Sequence, residues 1–233
     1  MKRYRIVDQN QTKTKRLLLT PLNADELAQE ESRETDELLR GAIIEMRKNV
    51  LEHPEDALWY TGWRVSLKKE GTAVGLLGFH GVPVNKTVEL GFNIYPDHRG
   101  KGYAQEAIQA LCNWAFGSAE GYFISVLADE KNEALNHVLK KLKFYRVESP
   151  VEGALSWELE RPASAWISFY LSIGLCLGLA LGSSFFGNQL TGLTIGLAAG
   201  IALGAAMDSQ DRAARKPENP PIKIAEAAED SKK

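Results

Sequence analysis

The spacing of apolar residues changes several times along the chain, and each change marks an expected element. Leu17-Leu18-Leu19 is a short apolar run between Arg16 and Thr20, closed by Pro21, and reads as a strand. Asn23, followed three residues later by Glu26, makes a capping-box pair that predicts a helix start. Residues 37–51 place Leu38, Leu39, Ile43, Ile44, Val50 and Leu51 at roughly helical spacing before His53-Pro54 stops the run. Residues 59–67 and 72–79, separated by Glu70-Gly71, read as a β-hairpin, and residues 88–95 as a third strand entered from a loop at 81–86. Residues 103–116 are helical in pattern, with Ala104, Ala107, Ile108, Leu111, Cys112 and Ala115 on one face. A strand at 122–127, a helix at 132–142 and a strand pair at 144–147 and 155–159 follow. This order predicts a mixed α/β domain over residues 1–161. Its middle, strand then glycine-rich turn then helix then strand, is a crossover of the kind that binds phosphate.

The pattern then changes character. From Pro162 to Met207 there is no Asp, Glu, Lys, Arg or His. Stretches 166–186 and 190–207 each approach the roughly 17–25 helical residues that cross a hydrocarbon core. Only Gly187-Asn188-Gln189 separates them, so residues 162–207 are expected to form a two-helix transmembrane hairpin, with the lipid bilayer as partner. Arg161 before it and Arg212, Arg215 and Lys216 after it put both ends on the cytoplasmic side of a cell membrane. Gly174, Gly178 and Gly182 fall at every fourth position, as do Gly192, Gly196, Gly200 and Gly204, giving each helix one small-residue face. The two faces can zip within one hairpin or join neighbouring chains as a homo-oligomer; pairing within the chain is the expectation. A soluble hairpin buried in the domain or in a dimer is the competing reading, and the lack of a charged face disfavours it. Residues 208–233 are charged and proline-bearing and are expected to be a disordered tail.

Composition narrows the chemistry. The 233 residues carry a formal net charge of −2, so no global basic field argues for nucleic acid. Cys112 and Cys176 are the only cysteines, which leaves no disulfide framework and no metal-ligand spacing. No metal is expected, and the basic start Met1-Lys2-Arg3-Tyr4-Arg5 leads into polar sequence rather than an apolar signal core.

The run Arg99-Gly100-Lys101-Gly102-Tyr103-Ala104 concentrates the candidate chemistry. It lies between the strand at 88–95 and the helix at 103–116, where two glycines permit a tight turn and the helix start adds unpaired N–H groups. An anion, and a pyrophosphate in particular, is the expected ligand.

In this context the run resembles the signature of the GNAT superfamily of acyl-CoA-dependent N-acetyltransferases: Arg or Gln, two residues, Gly, one residue, then Gly or Ala. Glu89-Leu90-Gly91-Phe92-Asn93-Ile94 resembles the family's central strand, and Asn132-Glu133-Ala134 with Val138-Leu139 and Phe144 resembles its next helix. Arg16-Leu17-Leu18-Leu19-Thr20-Pro21-Leu22 is similar to the start of the branch that includes ribosomal-protein alanine acetyltransferases. The resemblance covers about the first 161 residues and implies a GNAT acyl-CoA N-acyltransferase fold, a mixed central sheet flanked by helices.

It further implies acetyl-CoA as co-substrate. The pyrophosphate would lie on the backbone of Gly100, Lys101, Gly102, Tyr103 and Ala104 beside Arg99, and the pantetheine arm along Phe92, Asn93 and Ile94. Asn132 would add a polar contact, while its residue type also suits a helix N-cap. An amine, on a small molecule or a protein, would attack the thioester directly in a ternary complex. An ammonium has no lone pair, so a base must take a proton, and Glu89 is the first candidate, directly or through water. Tyr95 and His98 are lesser candidates. Trp59, Tyr60 and Trp63 either line the acceptor pocket or, for at least two of them, pack the core.

Departures from the family pattern set a second reading beside the first. Leu139 stands where many relatives have a tyrosine that protonates the thiolate, Leu135 where a serine is common, His137 where an arginine is common and Lys143 where a glycine precedes the phenylalanine. A thiolate leaves without strict need of an acid. The alternative is an acyl-CoA-binding membrane scaffold or sensor with little turnover.

Overall fold

The computed structural model describes residues 11–118, 122–163, 165–185 and 187–215. The basic N-terminus and the tail from residue 216 onward lie outside the described residues. The chain divides into two compact units, the first up to Arg161 and the second beginning at Pro162.

In the first unit an eight-stranded sheet runs in the order β1-β2-β3-β4-β5-β6-β8-β7. The strands are β1 (Thr12–Lys13), β2 (Leu17–Pro21), β3 (Gly62–Leu67), β4 (Ala73–Phe79), β5 (Thr87–Ile94), β6 (Phe123–Asp129), β7 (Tyr145–Val147) and β8 (Ala154–Glu160). Every pairing is antiparallel except β5 with β6, which the crossover helix α4 (Tyr103–Gly117) makes parallel. Helices α1 (Ala24–Arg33) and α2 (Glu37–Glu52) start as their sequences predict. Asn23 accepts from the Glu26 N–H while Glu26 reaches back to the Asn23 N–H, and Asp36 caps α2.

Opposite faces of the sheet carry different cores. Leu22, Leu27, Ile43 and Leu76 join with Leu39, Met46 and Val50, so Leu76 of β4 faces α1 and α2. Leu77 and Phe79, one and three residues further on and so on the opposite face, pack with Leu90 and with Ile108, Leu111 and Ala115 of α4. The stretch read as one strand at 59–67 is two elements. Residues 57–60 form a helical turn, α3 (Ala57–Tyr60), and the strand begins at Gly62. Packing decides this: Trp59 and Trp63 are both buried, in an aromatic cluster with Phe79 and Trp114. A full strand would have put them on one face in an extended spacing.

Helix α5 (Glu133–Lys141) is capped at Asn132, whose side chain accepts from the Leu135 N–H. At its other end Phe144 N–H donates to Leu139 C=O and Lys143 N–H to Lys140 C=O, the Schellman arrangement. Lys143 therefore sits at φ +68°, the left-handed position that favours glycine.

The second unit is an antiparallel pair, α6 (Trp166–Phe185) and α7 (Gln189–Arg215). Gly174 and Gly178 lie against the backbone of Gly196 and of Gly192 and Gly196 respectively, and Gly182 lies against Gly192. A Cβ at Gly200 would come within 2.5 Å of the Tyr170 carbonyl oxygen, so the helices meet backbone to backbone. Leucines point outward: Leu177, Leu181, Leu190 and Leu203 are all exposed. By length and composition one helix among the described residues, Gln189–Arg215, suffices to cross a membrane; Trp166–Gly182 is apolar but shorter. α7 also continues past Met207, so residues 208–215 are helical where a disordered tail was expected. Arg215 explains the extension. It pairs with Asp211 one turn earlier and donates to the Pro162 carbonyl at 3.1 Å.

Replacing Lys143 by glycine removes a left-handed lysine whose conformation costs about 1 kcal/mol. Lys143→Gly is expected to raise the thermal midpoint of the first unit, measured by differential scanning calorimetry. A lowered midpoint would contradict the strain assigned to this position.

Candidate functional site

The site begins where two strands part. β5 pairs with β4 as far as Ile94, matched to Gly75, but pairs with β6 only from Thr87 to Glu89, which is matched to Ser125. β6 meanwhile turns to β8 along its whole length. Beyond Glu89 the β6-facing backbone edge of β5 is open, and peptide groups there need a partner. An extended amide-bearing chain can supply one by adding to the edge as a strand would.

The alternation along β5 sorts the predicted residues. Leu90, Phe92 and Ile94 pack into the core with α4. Glu89, Gly91 and Asn93 alternate with them and so lie on the opposite face, toward α1 and α2. Phe92 and Ile94 thus turn their side chains toward the core and offer a ligand chiefly their backbone, whereas Glu89, which is partly exposed, presents its carboxylate.

The turn lies just beyond the end of β5. A single 3₁₀ turn, Pro96–His98, leads from β5 to Arg99, whose Nε donates to the Ile94 carbonyl at 2.8 Å and ties the turn to the strand end. Gly100 and Gly102 have φ of +73° and +76°. Gly102 is the N-cap of α4 and offers no side-chain cap to the first N–H groups of the helix, at Tyr103 and Ala104. Lys101 Nζ donates to the Asp97 carbonyl at 2.8 Å. The donors, the helix start and the basic side chains suit a diphosphate.

A brace from the far end of the sheet, which sequence reasoning missed, fixes this turn. Arg16, at the start of β2, donates through Nη1 to the Lys101 carbonyl at 3.0 Å and stacks its guanidinium over Tyr103 at 4.7 Å. Glu106 in the first turn of α4 receives Arg16 Nε at 2.7 Å and Arg16 N–H at 2.8 Å, and also accepts from the Thr14 hydroxyl. Burial alone would raise the Glu106 pKa. The hydrogen bonds from Thr14 and Arg16, with the charge of Arg16, outweigh it and hold the carboxyl below its ordinary value. The only sequence signal was an acid in the first turn of a helix, where it complements the dipole.

The other candidates separate. Tyr95 lies at the end of β5, where burial first, then the carboxylates of Glu30 and Glu34, push its hydroxyl pKa up against the opposing charge of Arg64. It keeps its proton as a donor. His98 packs its ring near Tyr103 rather than against Glu89. Asn132 is occupied as the α5 cap. Leu139 is fully buried in the core, so no proton donor comes from that position. Trp59 and Trp63 are core residues. Tyr60 is the least buried of the three aromatics and rests against Gly81. No group of His, Cys, Asp and Glu among the described residues could hold a metal.

The acetyltransferase (GNAT) domain model matches residues 16–145. The chain belongs to the GNAT acetyltransferase family. The uncharacterized N-acetyltransferase YjdG of Bacillus subtilis is 35% identical over 86 residues, 36% of this chain and 51% of that protein. YoaA of the same organism, also an uncharacterized N-acetyltransferase, is 27% identical over 85 residues, 36% of this chain and 48% of that protein. The chain spans about half the length of these relatives. Among solved structures, an acetyltransferase from Agrobacterium tumefaciens superposes with a TM-score of 0.50 at 20% identity, over 69% of this chain and 100% of that one. A variant of the spermidine N-acetyltransferase SpeG from Vibrio cholerae superposes at 0.51 and 16% identity, over 63% and 95%. Both attest the fold.

The brace has a signature in pH. A carboxylate held low contributes stability above its ordinary pKa, near 4.5, and loses that contribution as pH falls through its folded value. Glu106→Gln is therefore expected to be less stable than wild type at pH 7, with the difference shrinking below about pH 4.5. Denaturant melts across that range measure it; a difference independent of pH would contradict the ionised brace.

Proposed function

We propose that this protein transfers an acetyl group from acetyl-CoA to a primary amine at the fork between β5 and β6, on a domain tethered to the cytoplasmic face of a membrane. The parting of β5 from β6 at Glu89 carries the reading, because it opens a strand edge that leads directly to the diphosphate-binding turn.

The groups divide the work by position. The N–H groups of the 100–104 turn and the α4 dipole would hold the diphosphate, and the open edge at 90–94 would hold the pantetheine amides. The acceptor would come from the opposite side, over the face that carries Glu89. Its nitrogen attacks the thioester carbonyl, the C–N bond forms, the C–S bond breaks and CoA leaves as thiolate. Glu89 serves the proton that the nitrogen must lose. The acceptor stays among a peptide N-terminus, a lysine, an amino acid, a drug amine and a polyamine, the last because SpeG is named for spermidine.

Membrane tethering rests on the second unit. A water-soluble helix pair turns charged and strongly polar groups outward, whereas here the large outward side chains are leucine, isoleucine and phenylalanine, and the exposed Ser172 and Thr194 hydroxyls are bonded to carbonyls of their own helices. Glycine in a helix costs about 1 kcal/mol relative to alanine in water. The glycine faces therefore make sense where close backbone packing holds helices together and hydrocarbon forces internal hydrogen bonding. Trp166, Phe169 and Tyr170 cluster at the start of α6, as aromatics do at a headgroup boundary.

One preparation of the full chain tests both halves. It should sediment with membranes, resist high-salt washing and need detergent for release. In detergent with acetyl-CoA it should release CoA on addition of a free-N-terminal peptide, a lysine peptide or spermidine. Glu89→Gln should lower kcat by about 10²-fold or more. Release of the protein by salt alone would contradict the tether, and equal rates for wild type and Glu89→Gln would contradict the role of Glu89.

A further inference from the structure

The face of the sheet that carries Glu89 also carries a histidine. β4 ends at Phe79, and its alternation continues one residue further, so that Leu76, Gly78 and His80 share the face toward α1 and α2. His80 N–H donates to the Glu89 carbonyl at 3.0 Å, which fixes the two residues side by side across the strands. Their side chains then meet: His80 Nδ1 stands 3.5 Å from Glu89 Oε1.

The other ring nitrogen is the informative one. His80 Nε2 lies over Gly91, and a Cβ built on Gly91 would come within 3.2 Å of it. Gly91 is the next residue on that face of β5 beyond Glu89, in the direction in which the fork opens. The missing side chain at Gly91 leaves the space that the imidazole edge occupies. The ring is 57% exposed, so an incoming molecule can reach it.

We infer that His80 Nε2 is the base that takes the amine proton, and that Glu89 acts through it. This rests on the acetyl-transfer reading above and assigns its proton step. With Nδ1–H turned to Glu89, the Nε2 lone pair is directed over Gly91 into the mouth of the fork. A carboxylate behind an imidazole fixes the tautomer and the ring plane and stabilises the imidazolium once it forms. The 3.5 Å separation is long for a hydrogen bond and shortens when a positive charge develops on the ring. In the step itself the amine nitrogen bonds to the acetyl carbon, its proton passes to Nε2, and the electron pair of the C–S bond leaves on the CoA sulfur. The imidazolium then returns its proton to the thiolate or to water. Imidazole is the side chain best suited to accept protons near neutral pH, which a carboxylate alone is not. Glu89 is on this account a positioning residue and His80 the catalytic one.

The two ring nitrogens allow a clean test. Asparagine in place of His80 keeps a donor near the Nδ1 position for Glu89 but has nothing at Nε2. In the full-length protein in detergent, with acetyl-CoA and the same three amines, His80→Ala and His80→Asn should both lower kcat by about 10²-fold. CoA affinity, read by calorimetry on the same samples, should stay within about twofold of wild type, which also reports folding. Added imidazole should restore a measurable part of the His80→Ala rate and none of the rate of Gly91→Ala, whose methyl group fills the space over which Nε2 stands. His80→Asn with wild-type kcat would overturn the assignment and return the proton to Glu89, as would His80→Ala that imidazole does not rescue. Wild type that releases no CoA with any of the amines would overturn the acetyl-transfer reading, and this one with it.

Discussion

The site depends on the point at which β5 stops pairing with β6. Two parallel strands share three residue pairs, Thr87 with Phe123, Val88 with Ile124 and Glu89 with Ser125, and then diverge. Each keeps its other neighbour, so the sheet is not broken: β4 holds β5 to Ile94, and β8 holds β6 to Asp129. The divergence leaves backbone donors and acceptors exposed along one edge inside the sheet rather than at its rim. A sheet interior opened in this way leaves peptide groups without a strand partner, which a ligand with its own amides can pair. Everything else in the site takes its position from that wedge. Glu89 stands at its apex, the glycine turn lies beyond its open end, and α4 returns the chain beneath it.

Holding the wedge open is a separate task from holding the turn to which the proposal assigns the anion. The glycine turn has left-handed residues at Gly100 and Gly102 and no side-chain cap, so by itself it is free to rearrange. Arg16 and Glu106 restrict it, one bonded to the Lys101 carbonyl and stacked on Tyr103, the other bonded to Arg16 and Thr14. The pair links residues 90 positions apart in the chain and ties the turn to the first long strand. A preorganised cradle spares the ligand the ordering cost of the loop. The same Arg16 opens the segment whose resemblance to the family was visible in the sequence.

Much of this was legible beforehand, for identifiable reasons. Strands β4 and β5, helices α2 and α4 and the turn between β5 and α4 carry local signals that do not depend on the rest of the chain: capping residues, glycine pairs and apolar periodicity. The misread stretch at 59–67 shows the limit. Trp59 and Trp63 suit a strand by propensity, but tertiary packing with Phe79 and Trp114 overrides that preference and coils residues 57–60 into a helical turn. The Lys143 position, which looked like a departure, keeps the left-handed geometry that the family's glycine would supply. The Arg16 to Glu106 brace and the approach of His80 to Glu89 were invisible, because each joins residues whose proximity only the sheet order creates. In the second unit the glycine spacing was plain in the sequence, whereas the continuation of α7 to Arg215 depends on a bond to Pro162, just before the start of α6.

On the proposed reading acetyl-CoA occupies the wedge. Hydrogen–deuterium exchange on the full-length protein in detergent, with and without acetyl-CoA, tests it most directly. Ligand-dependent slowing of amide exchange is expected at residues 90–94 and 100–105 alone, with β2 and β3 unchanged. Slowing elsewhere with none at these two segments, or no ligand-dependent change at all, would contradict it.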